Sequence, residues 1–329
     1  MLKYILKRIG ISLLILLGVS FILYALLRCM PTSFIDMKIQ NLATQGTTVT
    51  EEFKQAMYKS YGLDGNILEG YFSWLWNILH LDFGKSFISQ REVLSEIFNP
   101  DRVGTSFIVA AVATIFEFLI AIPLGITAAT HQYSVRDYVV TVLVMIGISL
   151  PSFFFGQMLK DLFANKLGWF PVSGMIDLNV TYANGFEAMI DYLRHMFLPI
   201  LTVVILSIGG RMRTTRTNML EVMNSDYIRT ARAKGLKESV VVNKHAFRNT
   251  LIPMVTSLAG LLPSLFSGAI ITEQVFDLPG IGNIALDAMN RGDIPFIMGY
   301  NMFLALLSVI GVLLADLMYG LVDPRVKLE

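Results

Sequence analysis

Charge is scarce in this chain. Only 16% of its 329 residues are Asp, Glu, Lys or Arg, while 54% are hydrophobic, a balance that excludes an ordinary soluble protein of this size. The mean hydropathy of +0.59 points the same way. The formal charge of +1 gives no signal for a nucleic-acid partner. Cysteine is nearly absent: Cys29 stands alone, so no intrachain disulfide can form. Arg28 before it is not the small residue that a lipid-attachment site needs, which leaves Cys29 a plain thiol. The four histidines, His80, His131, His195 and His245, have no i, i+4 partner and no neighbouring cysteine, a pattern that argues against a metal site. No phosphate-cradling G-x-x-x-x-G loop with a following Lys-Ser or Lys-Thr occurs, so the chain is not expected to hydrolyse ATP itself. Ser207 to Gly210 and Ser173-Gly174 have no base at helical spacing, so they read as small-residue helix contacts or ends rather than protease sites. Solenoid repeats, low-complexity tracts and flexible linkers are also missing.

Long apolar runs are what the chain has. Ile9–Leu27, Ser106–Ala128, Tyr138–Met158, Leu251–Ile271 and Phe296–Leu317 are each long enough to span a hydrocarbon core of about 30 Å. Lys3, Lys7 and Arg8 precede the first run, which is too long for a signal h-region and lacks a cleavage site, so residues 1–29 are expected to be a retained first helix. A sixth run, Met196–Gly210, is short, and loop charge decides it. Between Arg211 and Thr250 there are nine basic residues against Glu221, Asp226 and Glu238. Only a sixth crossing puts that loop and the basic N-terminus on the same, cytoplasmic, side. The expectation is an all-α integral membrane protein of six helices in the cell membrane, with both termini inside. The loops at 166–194 and 273–295 are mildly acidic and read as external.

Residues 30–101 form an external segment too long to be a simple connection. Thr50 can cap a helix carrying Phe53, Met57, Tyr58 and Tyr61, and Ile67 to Leu81 repeats that spacing more strongly. Trp74 and Trp76 read as interfacial anchors, or as ligand contacts. Residues 102–329 then make a five-helix core with an inner loop at 211–250.

Glu117 sits near the middle of the second run, where a carboxylate must face the bundle or be protonated. It is either a polar element of a translocation path or a carboxyl hydrogen-bonded to a neighbouring helix. Asp161 and Asp316 lie near interfaces and read as paired groups. Pro123-Leu124-Gly125 and the cluster of Gly147, Ser149 and Pro151 loosen helices at membrane depth, which suits helices that line a path and flex.

The most informative stretch is Ser225, Asp226, Tyr227, Ile228, Arg229, Thr230, Ala231, Arg232, Ala233, Lys234, Gly235 and Leu236. Ser225 can cap a helix, Asp226 suits its positive end, and Gly235 can take the left-handed conformation after the last turn. Such a helix, about nine residues long, is too short to stand alone and must dock on something. A second amphipathic segment, Ser239–Phe247, follows.

Asp226 to Leu236, continued by His245-Ala246-Phe247-Arg248-Asn249-Thr250-Leu251-Ile252-Pro253, resembles the signature loop of importer-type ABC permeases, in the version of the oligopeptide and dipeptide group. Tyr61 to Asp64, Leu81 to Ser86, Leu167 to Gly174, Phe276 to Gly282, Arg291 to Pro295 and Asp323 to Arg325 are similar to that group in the same order. The large segment after the first helix is similar to the first permease of the pair. The resemblance implies a type I importer permease fold and a pseudo-two-fold heterodimer with a second, homologous permease. It further implies two ATPase subunits holding ATP and magnesium, an external peptide-binding protein, and no cofactor on this chain. Residues 225–236 would be the coupling contact with an ATPase. Phe276, Pro279, Arg291 and Asp293 would form the external gate or the binding-protein contact. Nickel or metal-chelate import on the same scaffold stays open, and so, outside this class, does a standalone secondary transporter.

Overall fold

The computed structural model describes residues 2–28, 39–40, 50–60 and 65–322. Cys29, Tyr61 to Asp64 and Asp323 to Arg325 therefore lie outside the described residues. Fifteen helices are named here: α1 (Leu2–Arg28), α2 (Glu51–Ser60), α3 (Ile67–Leu79), α4 (Val93–Ile97), α5 (Pro100–Thr130), α6 (Val135–Ser149), α7 (Ser152–Leu159), α8 (Gly185–Met223), α9 (Asp226–Ala233), α10 (Glu238–Val240), α11 (Phe247–Ser257), α12 (Leu261–Ser267), α13 (Ile270–Val275), α14 (Ile281–Asn290) and α15 (Ile294–Val322). Among the described residues the only β pairing is an isolated bridge between Lys85 and Glu92. The fold class is all-α.

Five helical segments are long and apolar enough to cross a membrane: Arg8–Leu26, Pro100–Thr130, Gly185–Met223, Pro253–Val275 and Ile294–Met318. The sixth span is a bent pair, Val135–Ser149 with Ser152–Lys166, turned through 100°. The third helix expected from Tyr138 to Met158, with its loosening cluster at Gly147 to Pro151, is broken at that cluster. Leu150 is extended at φ −83° and ψ 129°, the conformation that a following proline imposes, and Pro151 starts the new helix without an N–H to continue the old one. The fifth run is also broken, by a 3-10 turn at Leu258–Gly260 and by Gly268 at φ +73° before α13.

The short fourth run belongs to the longest helix of the chain. α8 has 39 residues, about 58 Å at 1.5 Å per residue, against a hydrocarbon core of about 30 Å. Its last part, Arg211–Met223, falls in the basic inner loop expected from the sequence and is instead helix standing beyond the apolar run. α5 packs along α8 at close range, since a Cβ on Gly125 would lie 2.7 Å from Thr215 Cβ and 2.9 Å from Met212 O.

The core is divided between the ends of the bundle. At one end Val93, Ile97, Ile281, Phe296 and Tyr300 pack α4, α14 and α15 together. At the other, Ala129 of α5 and Met219 of α8 close over α9 and the turn after α10. α3 lies on α1 through Tyr71, whose ring meets Phe21 and Tyr24 edge-on at 5.1 and 5.8 Å and whose hydroxyl is 2.9 Å from Ser20 Oγ. Trp74 joins this packing 5.8 Å from Tyr24, while Trp76 is exposed, so only Trp76 has the exposure of an interfacial anchor. Thr50 caps α2 as expected, its Oγ1 accepting from the Phe53 N–H at 3.3 Å. The two interfacial acids are paired: Asp316 with Arg8 at 3.1 Å, and Asp161 with Lys166 at 2.8 Å.

Candidate functional site

At the end of the bundle where α8 emerges, the chain turns sharply and lays α9 across it. Ser225 occupies the N-cap position with extended backbone, but its hydroxyl donates to Val222 O at 2.6 Å and accepts nothing from α9. That corrects the side-chain cap read from sequence. The oxygen is spent on closing the end of α8, because only Asn224 and Ser225 separate the two helices. The stop is as expected. Gly235 has φ +77°, its N–H donates to Arg232 O at 2.9 Å, and the Leu236 N–H reaches Ala231 O at 3.4 Å. Together these form the paired hydrogen bonds of a Schellman end.

Burial divides the twelve residues into two faces. Ile228 is fully buried and Ala231 is 7% exposed, both packed on Ala129, Met219, Val241, Val242 and Ala246 of the same chain. They hold α9 down. Tyr227, at 48% exposed, and Leu236, at 40%, face outward with Asp226, Thr230 and Ala233. Arg232 makes a fork with Glu238, at 3.1 Å from Nε and 2.7 Å from Nη2. This hydrogen bond holds the Glu238 carboxyl below the usual carboxylate range, so the pair is intact at neutral pH and is lost as pH falls through that lowered value. Arg229 has only Asp226 on its own helix, at 3.5 Å, and Lys234 has no acid within 4.0 Å among the described residues. The outward cations are therefore Arg229 and Lys234. The segment Ser239–Phe247 forms a π turn at Val241–Ala246 whose apolar side chains seat α9.

Two ion pairs join this end to the bundle. Arg216 of α8 grips Asp137 of α6 at 3.0 and 2.9 Å. Arg211 donates to Glu117 of α5 at 2.9 Å and to Ser257 Oγ of α11 at 3.0 Å, with its guanidinium 4.5 Å from the Phe118 ring centre. Glu117 is thus a paired carboxylate between helices, which answers the penalty of its depth. Of the three residues grouped with it, Gly147 packs where a Cβ would lie 3.3 Å from Ile205 O. Ser149 donates to Met145 O at 2.8 Å, and Pro151 marks the bend. Among the described residues no hydrogen bond or ion pair joins any of the three to the Glu117 pair.

The opposite end holds a feature that loop charge alone does not reveal. Glu273 is fully buried; Oε1 accepts from Ser106 Oγ at 2.7 Å and from the Ala269 N–H at 3.1 Å, and Oε2 from the Asn283 N–H at 2.8 Å. Ser106 accepts in turn from the Ile281 N–H at 2.9 Å. One carboxylate therefore ties α5, the break before α13 and the start of α14, where the helix dipole favours it. A Cβ on Gly280 would overlap that carboxyl. Glycines at 268, 280 and 282 around a lone acid were the signal available in the sequence.

The four gate candidates do not share one surface. Phe276 is 2% exposed, in a core cluster with Met196, Leu198 and Leu278. Asp293 is 1% exposed and accepts from Ser86 Oγ at 2.5 Å and the Phe87 N–H at 2.9 Å, latching residues 84–92 to α15. Neither is exposed enough to touch a partner. Pro279 and Arg291 remain on the surface, Arg291 paired with Asp287 at 2.9 Å.

The described residues thus form an all-α bundle with membrane-length helices and a short basic helix packed on one end. The chain belongs to the family of binding-protein-dependent transport system inner membrane components, which matches residues 121–328, the permease subunits of ABC importers. Among curated relatives, it is 35% identical to the oligopeptide transport system permease protein AppB of Bacillus subtilis over 99% of this chain and all of that one. It is 32% identical to the dipeptide transport system permease protein DppB of Escherichia coli, over 99% of both. Among solved structures, the inward-facing MetNI methionine ABC transporter matches with a TM-score of 0.53 at 17% identity, over 71% of this chain and 99% of that one. That likeness concerns the fold.

Proposed function

We propose that this chain imports oligopeptides or dipeptides, as one permease of a heterodimer driven by two ATPase subunits and fed by an external binding protein. The carrying observation is the full-length identity to relatives named as peptide permeases. In this reading α9 lies in the cytoplasm and presents Tyr227, Arg229, Lys234 and Leu236 to a cleft on the ATPase. ATP and magnesium stay on that partner. Closure of the ATPases moves α9, and Ile228 and Ala231 transmit the motion to α5 and α8 because they are packed against them. The bundle then switches access as rigid bodies, and the work comes from the partner's differential contacts in its two nucleotide states.

Deleting the chain from its host is expected to abolish uptake of labelled tri- to pentapeptides and to leave nickel uptake unchanged. Loss of nickel uptake with peptide uptake intact would move the assignment to metal-chelate import. For the coupling contact, single cysteines are placed in a Cys29→Ser background. Ala233→Cys and Lys234→Cys are expected to crosslink to the ATPase, and Ala231→Cys, which faces its own chain, to give little product. The reverse pattern would overturn the assignment of faces.

A further inference from the structure

α3 presents three different faces to its surroundings. Tyr71 and Ile78 are buried against the bundle, with Trp74 packed beside them. Leu68, Phe72, Trp76 and Leu79, spaced four, four and three residues apart, are between 52% and 70% exposed. Glu69, Ser73, Asn77 and His80 repeat that spacing one residue later and are exposed too. One residue is about 100° of helix, so an apolar stripe and a polar stripe run side by side along α3, each made continuous by contacts three and four residues apart. Glu69 is the only charged residue of the helix, and it stands on the polar stripe.

The depth of α3 is set by α1 and α15. The apolar window of α1 closes at Leu26 and that of α15 opens at Ile294. The Tyr71 hydroxyl donates to Leu17 O at 3.2 Å and lies 2.9 Å from Ser20 Oγ, and its ring meets Phe21 at 5.1 Å. Phe21 is five residues inside the end of the α1 window, about 7.5 Å along the axis. The same face of α3 meets Ile294 and Met298 at the start of α15. α3 therefore bridges two spans just within their common end, opposite α9. An amphipathic helix lying in a bilayer interface buries its apolar face about 5–10 Å into the boundary, which is the same depth.

We propose that α3 lies in the interface of the leaflet away from α9, its apolar stripe against phospholipid acyl chains and its polar stripe in water at headgroup level. At the level of Phe21, whatever part of the helix the bundle leaves uncovered meets acyl chains, and an apolar stripe is stable there as it is not in water. The change from apolar to polar between adjacent residues, repeated four times along the helix, matches a flat boundary between two solvents. Trp76 suits that boundary, since its indole has an apolar body and one N–H for the headgroup side.

The test uses the assembled transporter in phospholipid nanodiscs. Phe72→Cys, Ser73→Cys, Trp76→Cys and Asn77→Cys are each placed in a complex otherwise free of cysteine and spin-labelled, and collisions of the label with oxygen and with a water-soluble nickel chelate are compared. Oxygen, which concentrates among acyl chains, is expected to dominate at Phe72→Cys and Trp76→Cys, and the nickel chelate at Ser73→Cys and Asn77→Cys, a reversal between adjacent residues. A lipophilic diazirine reagent applied to the unsubstituted complex is expected to label Phe72 and Trp76 and to spare Ser73 and Asn77, a readout that needs no variant. Nickel-chelate dominance at all four positions would put the stripe in water. Protection of Phe72→Cys and Trp76→Cys from both reagents would put it under a second permease or the binding protein. Either result, or absence of diazirine label from residues 67–79, would overturn the proposal.

Discussion

Gly235→Val is expected to leave the transporter assembled and hydrolysing ATP while peptide uptake falls by about tenfold. The reason is local. Gly235 sits at φ +77°, and an added Cβ would meet nothing within 4 Å, so the substitution introduces strain and no clash. A β-branched residue held there costs about 1–3 kcal/mol, and about 1.4 kcal/mol is a factor of ten in the population of the capped form. That form aligns α9 with its seat through the Gly235 and Leu236 hydrogen bonds. Asparagine tolerates positive φ, so Gly235→Asn is expected to transport nearly as well as the parent and Gly235→Ala to fall between. Uptake and ATPase rates measured on the same reconstituted complex separate coupling from assembly. Wild-type transport by Gly235→Val, or equal loss in Gly235→Asn, would refute the role of the left-handed stop.

Glu273→Ala should act on stability instead. It removes the acceptor of the Ser106 hydroxyl and of the Ala269 and Asn283 N–H groups, all within a site that is itself buried. Each unmet donor costs about 1–3 kcal/mol, a large share of the roughly 5–15 kcal/mol by which domains are stable. At about 2.1 cal/mol/K of unfolding entropy per residue, a loss of about 3 kcal/mol lowers the unfolding midpoint of this 329-residue chain by about 4 °C. Glu273→Gln keeps one oxygen acceptor and places an NH₂ against a donor, so it should lie between the two. Midpoints of the purified complex are the readout. Glu273→Ala melting within about 1 °C of the parent would show that the three donors find other partners.

The two positions differ in how they could be read. Gly235 was legible because its signal is local: a helix of fitting length, a glycine at the stop and an apolar residue after it. The same holds for the helix starts at Thr50 and for the proline that breaks the third span, although the sequence showed a loosening there and not the 100° turn. Glu273 was not legible as a hub. Its hydroxyl partner, Ser106, is 167 positions away, and along the chain it looked like one more acid in an acidic loop. Asp293 failed in the same way, with Ser86 207 positions distant. Ser225 shows a subtler miss: the residue type suited a cap, and the helix before it took the oxygen.

By itself, the sequence determined the solvent this protein lives in, the number of its spans, the place of the basic helix and the family that its signature loop resembles. All of these rest on composition, run length and neighbours within a few residues. Tertiary structure alone decided which face of α9 is spent on its own bundle, which cations are left outward, and which acids are buried against which donors. Those outcomes depend on contacts between helices far apart in sequence, whose rotation about their axes no local period specifies. The basic helix was visible as a helix from its residues. That Ile228 and Ala231 anchor it while Arg229 and Lys234 face outward became visible only once α5 and α8 were packed beneath it.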